Sequence, residues 1–512
     1  MRTRFGENTF GNCVTLTIDG QETFTLMYEK FFKAKTSILI ANYELDPRLR
    51  FIRGDSQSSS FINNNLAPSS SGSTSEPENI KLSHQNYTAS PLQDLLFEKT
   101  KQGVEVKIIV WQPKLIIRLL PTAHKRGLSG RVGELEPLER LVQHSKITKN
   151  LMVRVDNTAP TFTSGHHEKF IVIDNKIGFC GGLDLSHGKW DTNSHDFDNP
   201  LRDQNAEPWH DVHAMVEGPV VTDLIYHFMQ RWTYSITKDI DQAKRIKIEP
   251  SFENQNSTGD TEVIALRTWK QLNNKGDDND GSNILSWYAA MFRKAKYSIY
   301  IENQFAFQSE LITQLLVKRL QEEQNLKVIV VSPMEPNLPG FISGFVSKES
   351  INHVNRNLER LRKAGGSRVN TYCLISQHNA ANEKRKQIYI HAKVMIVDDK
   401  WITIGSANMD NDGFKNSTEV DLGITSPVLA QQLRVKLWRE HLTEEADSSN
   451  YCVDLNSFDE GFSAWKTLAS DNGTRILRGE RIRGQIYYYN FEEMKCPLPY
   501  ASARGGNKFK LF

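Results

Sequence analysis

The chain has 512 residues, a formal net charge of +2 and 38% hydrophobic side chains. That length accommodates about two to four domains and a large core, while the balanced charge argues against a dedicated nucleic-acid binder. No run of about 20 apolar residues occurs, which excludes a membrane-spanning helix on sequence grounds.

Met1-Arg2-Thr3-Arg4 is followed by no apolar stretch, so no secretory signal is expected. Ala34–Asn42 follows a helix-like segment and reads as a buried strand. Residues 54–89 are rich in Ser and Asn, bury too little to offset ordering and are expected to form a mobile polar insertion. Ser90-Pro91 resembles a helix start, with the helix running to Gln102 and stopping at Gly103. Val106–Pro113 is a second strand-like block. A polar stretch, Asn273–Gly281, precedes a helix expected from near Ser286, and Glu310–Glu323 carries Leu and Ile at helical spacing. The five cysteines, Cys13, Cys180, Cys373, Cys452 and Cys496, are scattered and contain no CxxC pair, so they are read as reduced and structural.

The order of these blocks recurs. Ala34–Asn42 is matched by Ala295–Asn303, and Val106–Pro113 by Leu326–Pro333. His167-Glu168-Lys169, with Asp174, is matched by His391-Ala392-Lys393, with Asp398. Asp211-Val212 is matched by Glu419-Val420. Such a duplication, with strands and helices alternating in each half, predicts an α/β chain of two similar α-β-α lobes. Mixed sheets are expected in both, related by a pseudo-twofold axis, with a site where the lobes meet. The expected boundaries are a first lobe over 1–240, a linker over 241–281, a second lobe over 282–445 and an extension over 446–512.

Both third blocks fit H-x-K-x-x-x-x-D. Residues two apart on a strand share a face, so each histidine and its lysine point the same way. Two ammonium groups can neutralise the oxygens of a phosphodiester. One imidazole can attack phosphorus, and a second, protonated, can deliver a proton to the leaving alkoxide. The scheme requires no metal or other cofactor. His167, Lys169, His391 and Lys393 are therefore the candidate catalytic set, with Asp211 and Glu419 as orienting acceptors, each expected to pair with its own lobe's histidine. Gly182 and Ser406 lie 15 residues after their histidines, and Asp184 and Asn408 lie 17 after. These four are candidate substrate contacts. Asp174 and Asp398 are expected to stabilise turns rather than touch substrate.

The doubled motif resembles that of the phospholipase D superfamily. Gly181–Leu185, Gly188–Thr192, Pro208–Asp211 and Gln230–Trp232, with Ile301–Gln304, Gly405–Asn408 and Glu440–Leu442, resemble the eukaryotic-type branch more narrowly. The resemblance implies hydrolysis of phosphatidylcholine or a related phospholipid to phosphatidic acid and free head group. A phosphohistidine would form on the way, and transfer to a primary alcohol would compete with water. It further implies His167 as nucleophile and His391 as acid/base, although on the residues alone either order serves. The motifs begin so near residue 1 that no C2, PX or PH module is expected ahead of them, and calcium dependence stays open. Leu185–Pro208 is expected to shape the head-group pocket, with Trp190 and Trp209 as walls or as core. The expected partner is a phospholipid at a membrane surface, not nucleic acid, and the oligomeric state stays open, a monomer being compatible. The expected location is the cytoplasm or a membrane periphery, with signal-less export, as of a bacterial effector, also compatible. The competing readings are a phosphatidyltransferase resembling cardiolipin synthases and a nucleic-acid phosphodiesterase.

Overall fold

The computed structural model describes residues 5–54, 90–111, 138–158, 164–203, 206–246, 259–273, 283–334, 348–379, 384–442 and 453–489. The insertion expected over 54–89 therefore lies, from residue 55 on, outside the described residues.

In the first lobe the strands are β1 (Thr9–Ile18), β2 (Ser37–Asn42), β3 (Glu105–Trp111), β4 (Leu151–Asp156), β5 (Phe170–Ile173), β6 (Ile177–Gly181), β7 (Trp209–His210) and β8 (Val212–Glu217). Their pairings run β4-β3-β2-β5-β6-β8-β1, with β2, β3 and β4 parallel and the rest antiparallel. β2 is buried along its whole length, as expected of a strand with parallel and antiparallel neighbours and helices nearby.

The second lobe repeats this scheme with β9 (Thr261–Trp269), β10 (Ser298–Asn303), β11 (Lys327–Val331), β12 (Val369–Gln377), β13 (Arg385–Ile390), β14 (Lys393–Val397), β15 (Trp401–Gly405) and β16 (Thr418–Thr425). The register repeats as well. Ile38 faces Ile173 as Ile299 faces Val397, Phe170 faces Cys180 as Val394 faces Ile404, and Cys180 faces Ala214 as Ile404 faces Leu422. The fold is thus the expected α/β pair of like lobes. One correction concerns the span 241–281, read as linker. It contains β9, which pairs with β16 as β1 pairs with β8. Polar flanks on both sides hid this strand. β17 (Ile486–Tyr488), from the extension, adds to β12 at the edge of the second sheet.

The first- and second-lobe sheets join through β1 and β9, and a shared core lies between the lobes. It includes Phe170, Val172 and Ala214 from one sheet and Val394, Ile404, Val420 and Leu422 from the other. The helix Val221–Thr237 places Val221, Leu224, Ile225, Phe228 and Trp232 in this core at helical spacing. The helix expected from Ser90-Pro91 spans Leu92–Lys101, beginning one residue later than expected, with Pro91 in extended conformation at its N-cap rather than at the first helical position. Among the described residues, no helix is long and apolar enough to cross a membrane.

Candidate active site

Each histidine motif is held by a turn and by a cross-lobe pairing. Asp174 and Asn175, like Asp398 and Asp399, have positive φ, the backbone of a tight hairpin between the two strands that follow each histidine. Asp174 accepts hydrogen bonds from the backbone N–H of Lys35, Thr36 and Ser37 and from the Thr36 hydroxyl. Asp398 accepts from the N–H of Lys296, Tyr297 and Ser298. Both carboxylates thus anchor a hairpin to the strand beside it.

At the other end of each motif the chain crosses to the opposite lobe. The His167 N–H donates to the Thr418 carbonyl at 2.8 Å, and the His391 N–H donates to the His210 carbonyl at 2.8 Å. Thr418 and His210 immediately precede Glu419 and Asp211. Each carboxylate is therefore delivered to the histidine of the other lobe: His167 Nδ1 is 3.0 Å from Glu419 Oε2, and His391 Nδ1 is 2.7 Å from Asp211 Oδ2. The expectation that each carboxylate serves its own lobe's histidine is corrected. The sequence shows the order of the blocks, but the exchange arises from backbone pairing between lobes.

Lys169 and Lys393 are buried beside their histidines. Lys169 Nζ donates to the His167 carbonyl at 2.9 Å and lies 3.5 Å from Asp184 Oδ2. Lys393 Nζ donates to Gln304 Oε1 at 3.0 Å and to the His391 carbonyl. His391 packs against Trp209 with ring centroids 4.8 Å apart and the planes tilted by 38°, and Lys189 Nζ lies 3.6 Å from the Trp209 centroid. His167 meets Tyr43 edge-on at 4.6 Å, and Tyr43 stacks on Trp111. Trp190, by contrast, is fully buried and donates to the Phe51 carbonyl, so it belongs to the core rather than a pocket wall.

Burial dominates the electrostatics. It pushes the Asp211 carboxyl up to about 7, against the opposing pull of Lys393, and raises Glu419 well above the carboxylate range, against Lys169. Burial, with Lys393, Lys189, Lys169 and His167 adding to it, holds His391 well below its usual value. Lys393 is lowered to about 7 by burial, with Asp211 opposing.

The candidate substrate contacts divide. Ser406 Oγ donates to Glu419 Oε2 at 2.6 Å, so it orients the carboxylate behind His167. Asp184 Oδ1 accepts from Asn42 Nδ2 and the Glu44 N–H. Asn408 is buried, and its Oδ1 makes no hydrogen bond within the described protein. Gly182 makes room: a Cβ there would sit 1.9 Å from Asp211 Oδ1. Sequence reasoning missed Tyr43 and Gln304 as neighbours of the site. It also missed Glu168, which binds His227 at 2.9 Å and Arg231 at 2.7 Å just behind the first motif. Glu168 stands between His167 and Lys169, just before β5, and an acid at the position where the second motif has Ala392 was the available signal.

A family model described as phospholipase D matches residues 77–329, and one described as cardiolipin synthase, PLD-like domain, matches residues 288–440. Among curated proteins, phospholipase D alpha 1 of Cynara cardunculus is 25% identical over 521 residues, covering 77% of this chain and 64% of that one. Phospholipase D alpha 2 of Arabidopsis thaliana is 25% identical over 530 residues, with the same coverages. The chain thus spans a little under two thirds of the length of these relatives. The crystal structure of phosphatidylserine synthase from Haemophilus influenzae superposes with a TM-score of 0.52 at 11% identity, covering 93% of this chain and 97% of that one, a likeness of fold. With family matches running on from residue 77 to residue 440 across both of its like lobes, this chain belongs to the phospholipase D superfamily.

Proposed function

We propose that the protein is a phospholipase D. It would hydrolyse phosphatidylcholine-like glycerophospholipids to phosphatidic acid and a free head group, with a primary alcohol able to replace water as acceptor. The observation that carries this reading is the crossed pairing of His167 with Glu419 and of His391 with Asp211, beside Lys169 and Lys393. The 25% identity to plant phospholipases D over most of this chain supports lipid as the substrate class.

In this mechanism Nδ1 of each imidazole is held by its carboxylate, which leaves Nε2 for chemistry. His167 Nε2 attacks phosphorus. The phosphorus–oxygen bond to the head group breaks, and the head-group oxygen takes a proton from His391 Nε2. The phosphatidyl group is then bonded to His167. His391 next removes a proton from water, whose oxygen attacks phosphorus and expels His167 as phosphatidic acid forms. Lys169 and Lys393 hold the nonbridging oxygens. An arriving phosphodiester anion would offset the cations that hold His391 down, and would favour both its imidazolium form and the charged form of Lys393.

A second reading is favoured by the match of 288–440 to the cardiolipin synthase, PLD-like model: transfer of the phosphatidyl group to a lipid alcohol. One experiment separates the readings. Purified protein is incubated with labelled phosphatidylcholine, phosphatidylglycerol and DNA, with and without ethanol. Soluble choline together with phosphatidylethanol is the expected result. Cardiolipin from phosphatidylglycerol without choline release would favour the transferase, and nicked DNA beside intact lipid would overturn both lipid readings.

A further inference from the structure

His166 stands next to the nucleophile and takes no part in the mechanism above. Its side chain is 2% exposed, against 14% for His167. Consecutive residues of an extended segment project to opposite faces, so His167 faces the site and His166 the interior. We infer that His166 is a positioning residue for transfer of the phosphatidyl group to His167: its ring ties Asp156 and Thr158 of the first lobe to Thr418 of the second, and so fixes the backbone that presents Glu419. This role rests on the two-histidine mechanism proposed above and is exerted through Thr418, not on the substrate.

The hydrogen bonds run in one direction. Asp156 ends β4, is fully buried and accepts from Arg231 Nη1 at 3.0 Å. Burial alone would raise its carboxyl, but Arg231, His166 and Thr158 outweigh burial and hold Asp156 below the usual carboxylate range, so it only accepts. The Thr158 hydroxyl donates to Asp156 Oδ1 at 2.6 Å. The Thr158 oxygen is then left to accept from His166 Nε2, 3.1 Å away. Asp156 Oδ2 lies 3.4 Å from the same nitrogen and also draws the proton to it. Burial, with Arg231 adding to it, holds the His166 ring down at about 3, so it is neutral and carries one N–H. With that proton on Nε2, Nδ1 is an acceptor, and the Thr418 hydroxyl donates to it at 2.8 Å.

This chain of bonds ends where the lobes exchange carboxylates. His166 and Thr418 form a backbone bridge. The Thr418 N–H donates to the Gly165 carbonyl at 2.9 Å, and the Thr418 carbonyl accepts the His167 N–H at 2.8 Å. Thr418 opens β16 and directly precedes Glu419, whose Oε2 is 3.0 Å from His167 Nδ1. Without the side-chain bond, backbone groups alone would hold the bridge, and the buried Thr418 hydroxyl would lose its acceptor. The second lobe is built otherwise. Ile390 precedes His391 and faces His210 across the equivalent pairing, and its apolar side chain can neither donate nor accept. The brace therefore serves one histidine of the two, and its removal should slow one half of the reaction.

The test is a single turnover with the full chain at saturating excess over a nitrophenyl ester of phosphatidic acid. Nitrophenol release then reports transfer to His167. Misfolded protein lowers the amplitude of release rather than its rate constant, and thermal melts accompany each variant. An asparagine amide oxygen takes the place of Nδ1 and can accept from Thr418. A glutamine amide nitrogen takes the place of Nε2, donates to Thr158 and leaves Thr418 without its acceptor. His166→Gln should slow release by up to about 10²-fold, the loss that misplacing a reacting group by about 1 Å brings, and His166→Asn should slow it less. Packing alone predicts the reverse order, because glutamine is nearer to histidine in size. Thr418→Val should match His166→Gln, and Thr418→Ser should recover most of the rate. Where His166→Gln fails to fold, the Thr418 pair decides. Release at the wild-type rate by His166→Gln and Thr418→Val would overturn the inference and leave the two-histidine mechanism standing. Equal losses in the asparagine and glutamine variants, or in the valine and serine ones, would overturn it as well. No release by the wild type would overturn the mechanism itself, and this role with it.

Discussion

Asp211, between β7 and β8 in the first lobe, reaches His391 in the second, 2.7 Å from Oδ2 to Nδ1. Glu419 makes the reciprocal reach to His167, at 3.0 Å. The crossing makes the two carboxylates separable by experiment. With His167 as nucleophile, Glu419→Gln should suppress formation of the phosphohistidine. Asp211→Asn should spare its formation from a substrate with a good leaving group, such as a nitrophenyl ester, but slow its hydrolysis. Rapid quench with labelled substrate is the measurement. Accumulated phosphoenzyme is expected in Asp211→Asn and not in Glu419→Gln. The opposite pattern would mean that each carboxylate serves its own lobe, or that the two histidines trade roles. By comparison with loss of the orienting carboxylate in serine proteases, turnover should fall by up to about 10⁴-fold.

The two lysines carry a separate expectation. His167→Ala and His391→Ala should each abolish turnover with the unfolding temperature little changed. Lys169→Met and Lys393→Met should retain residual activity, about 10²–10³-fold down in kcat, the usual effect of removing one preorganised donor to transition-state charge. Steady-state rates beside thermal melts decide it. A Met variant with unchanged kcat would remove that lysine from the phosphate's surroundings.

Much of this arrangement was legible in the sequence, because the two motifs, their hairpins and the carboxylate blocks keep the same order and spacing in both halves. The β5 and β14 strands read as buried because Phe170–Ile173 and Val394–Val397 are apolar throughout, and Asp174 and Asp398 read as turn residues because they close those runs. Pairings that sequence order does not encode were not legible. The exchange of Asp211 and Glu419 depends on the His391–His210 and His167–Thr418 backbone bonds. Ser406 looked like a donor to phosphate, yet its hydroxyl is taken by Glu419. β9 was missed because it lies between polar segments and mixes Thr, Glu and Arg with its apolar residues, and its partner β16 is more than a hundred residues away.

Gly182 allows a test that alters no ionisable group. A methyl group there would meet Asp211 Oδ1 at 1.9 Å and drive the carboxylate off His391. Gly182→Ala should therefore lower kcat by an amount approaching that of Asp211→Asn, with KM moving much less. Normal kcat in a folded Gly182→Ala protein would show that Asp211 does not orient His391 during turnover.

Glu168 governs how stability responds to acid. It is fully buried, and burial by itself would raise its carboxyl. Arg231 and His227 outweigh that and hold it down at about 2. A carboxyl depressed in the folded state stabilises the protein above its unfolded value of about 4.3, and this contribution is lost as pH falls toward 2. Glu168→Gln should be destabilised near pH 6 by about 3–5 kcal/mol, as for a broken buried ion pair. The gap to wild type should close as pH falls through that window. Urea melts across the range would show it, and a gap that stayed constant with pH would mean that Glu168 is not charged in the folded protein.

Asp174 and Asp398 belong to the same motifs as the histidines, so the structural and chemical readings of these two residues must be told apart. Among the described residues, both carboxylates accept hydrogen bonds at the entry to β2 or β10, where they cap backbone N–H groups. Removing such an acceptor strands several donors, at about 1–3 kcal/mol for each that stays buried and unpaired. Asp174→Ala and Asp398→Ala should therefore melt at lower temperature, yet turn over normally well below their melting points. A deficit in kcat that persists in fully folded protein would place the aspartate in the chemistry. Recovery of stability but not of rate in Asp174→Asn would point the same way, because an amide oxygen can still accept from Thr36 and Ser37 while the negative charge is gone.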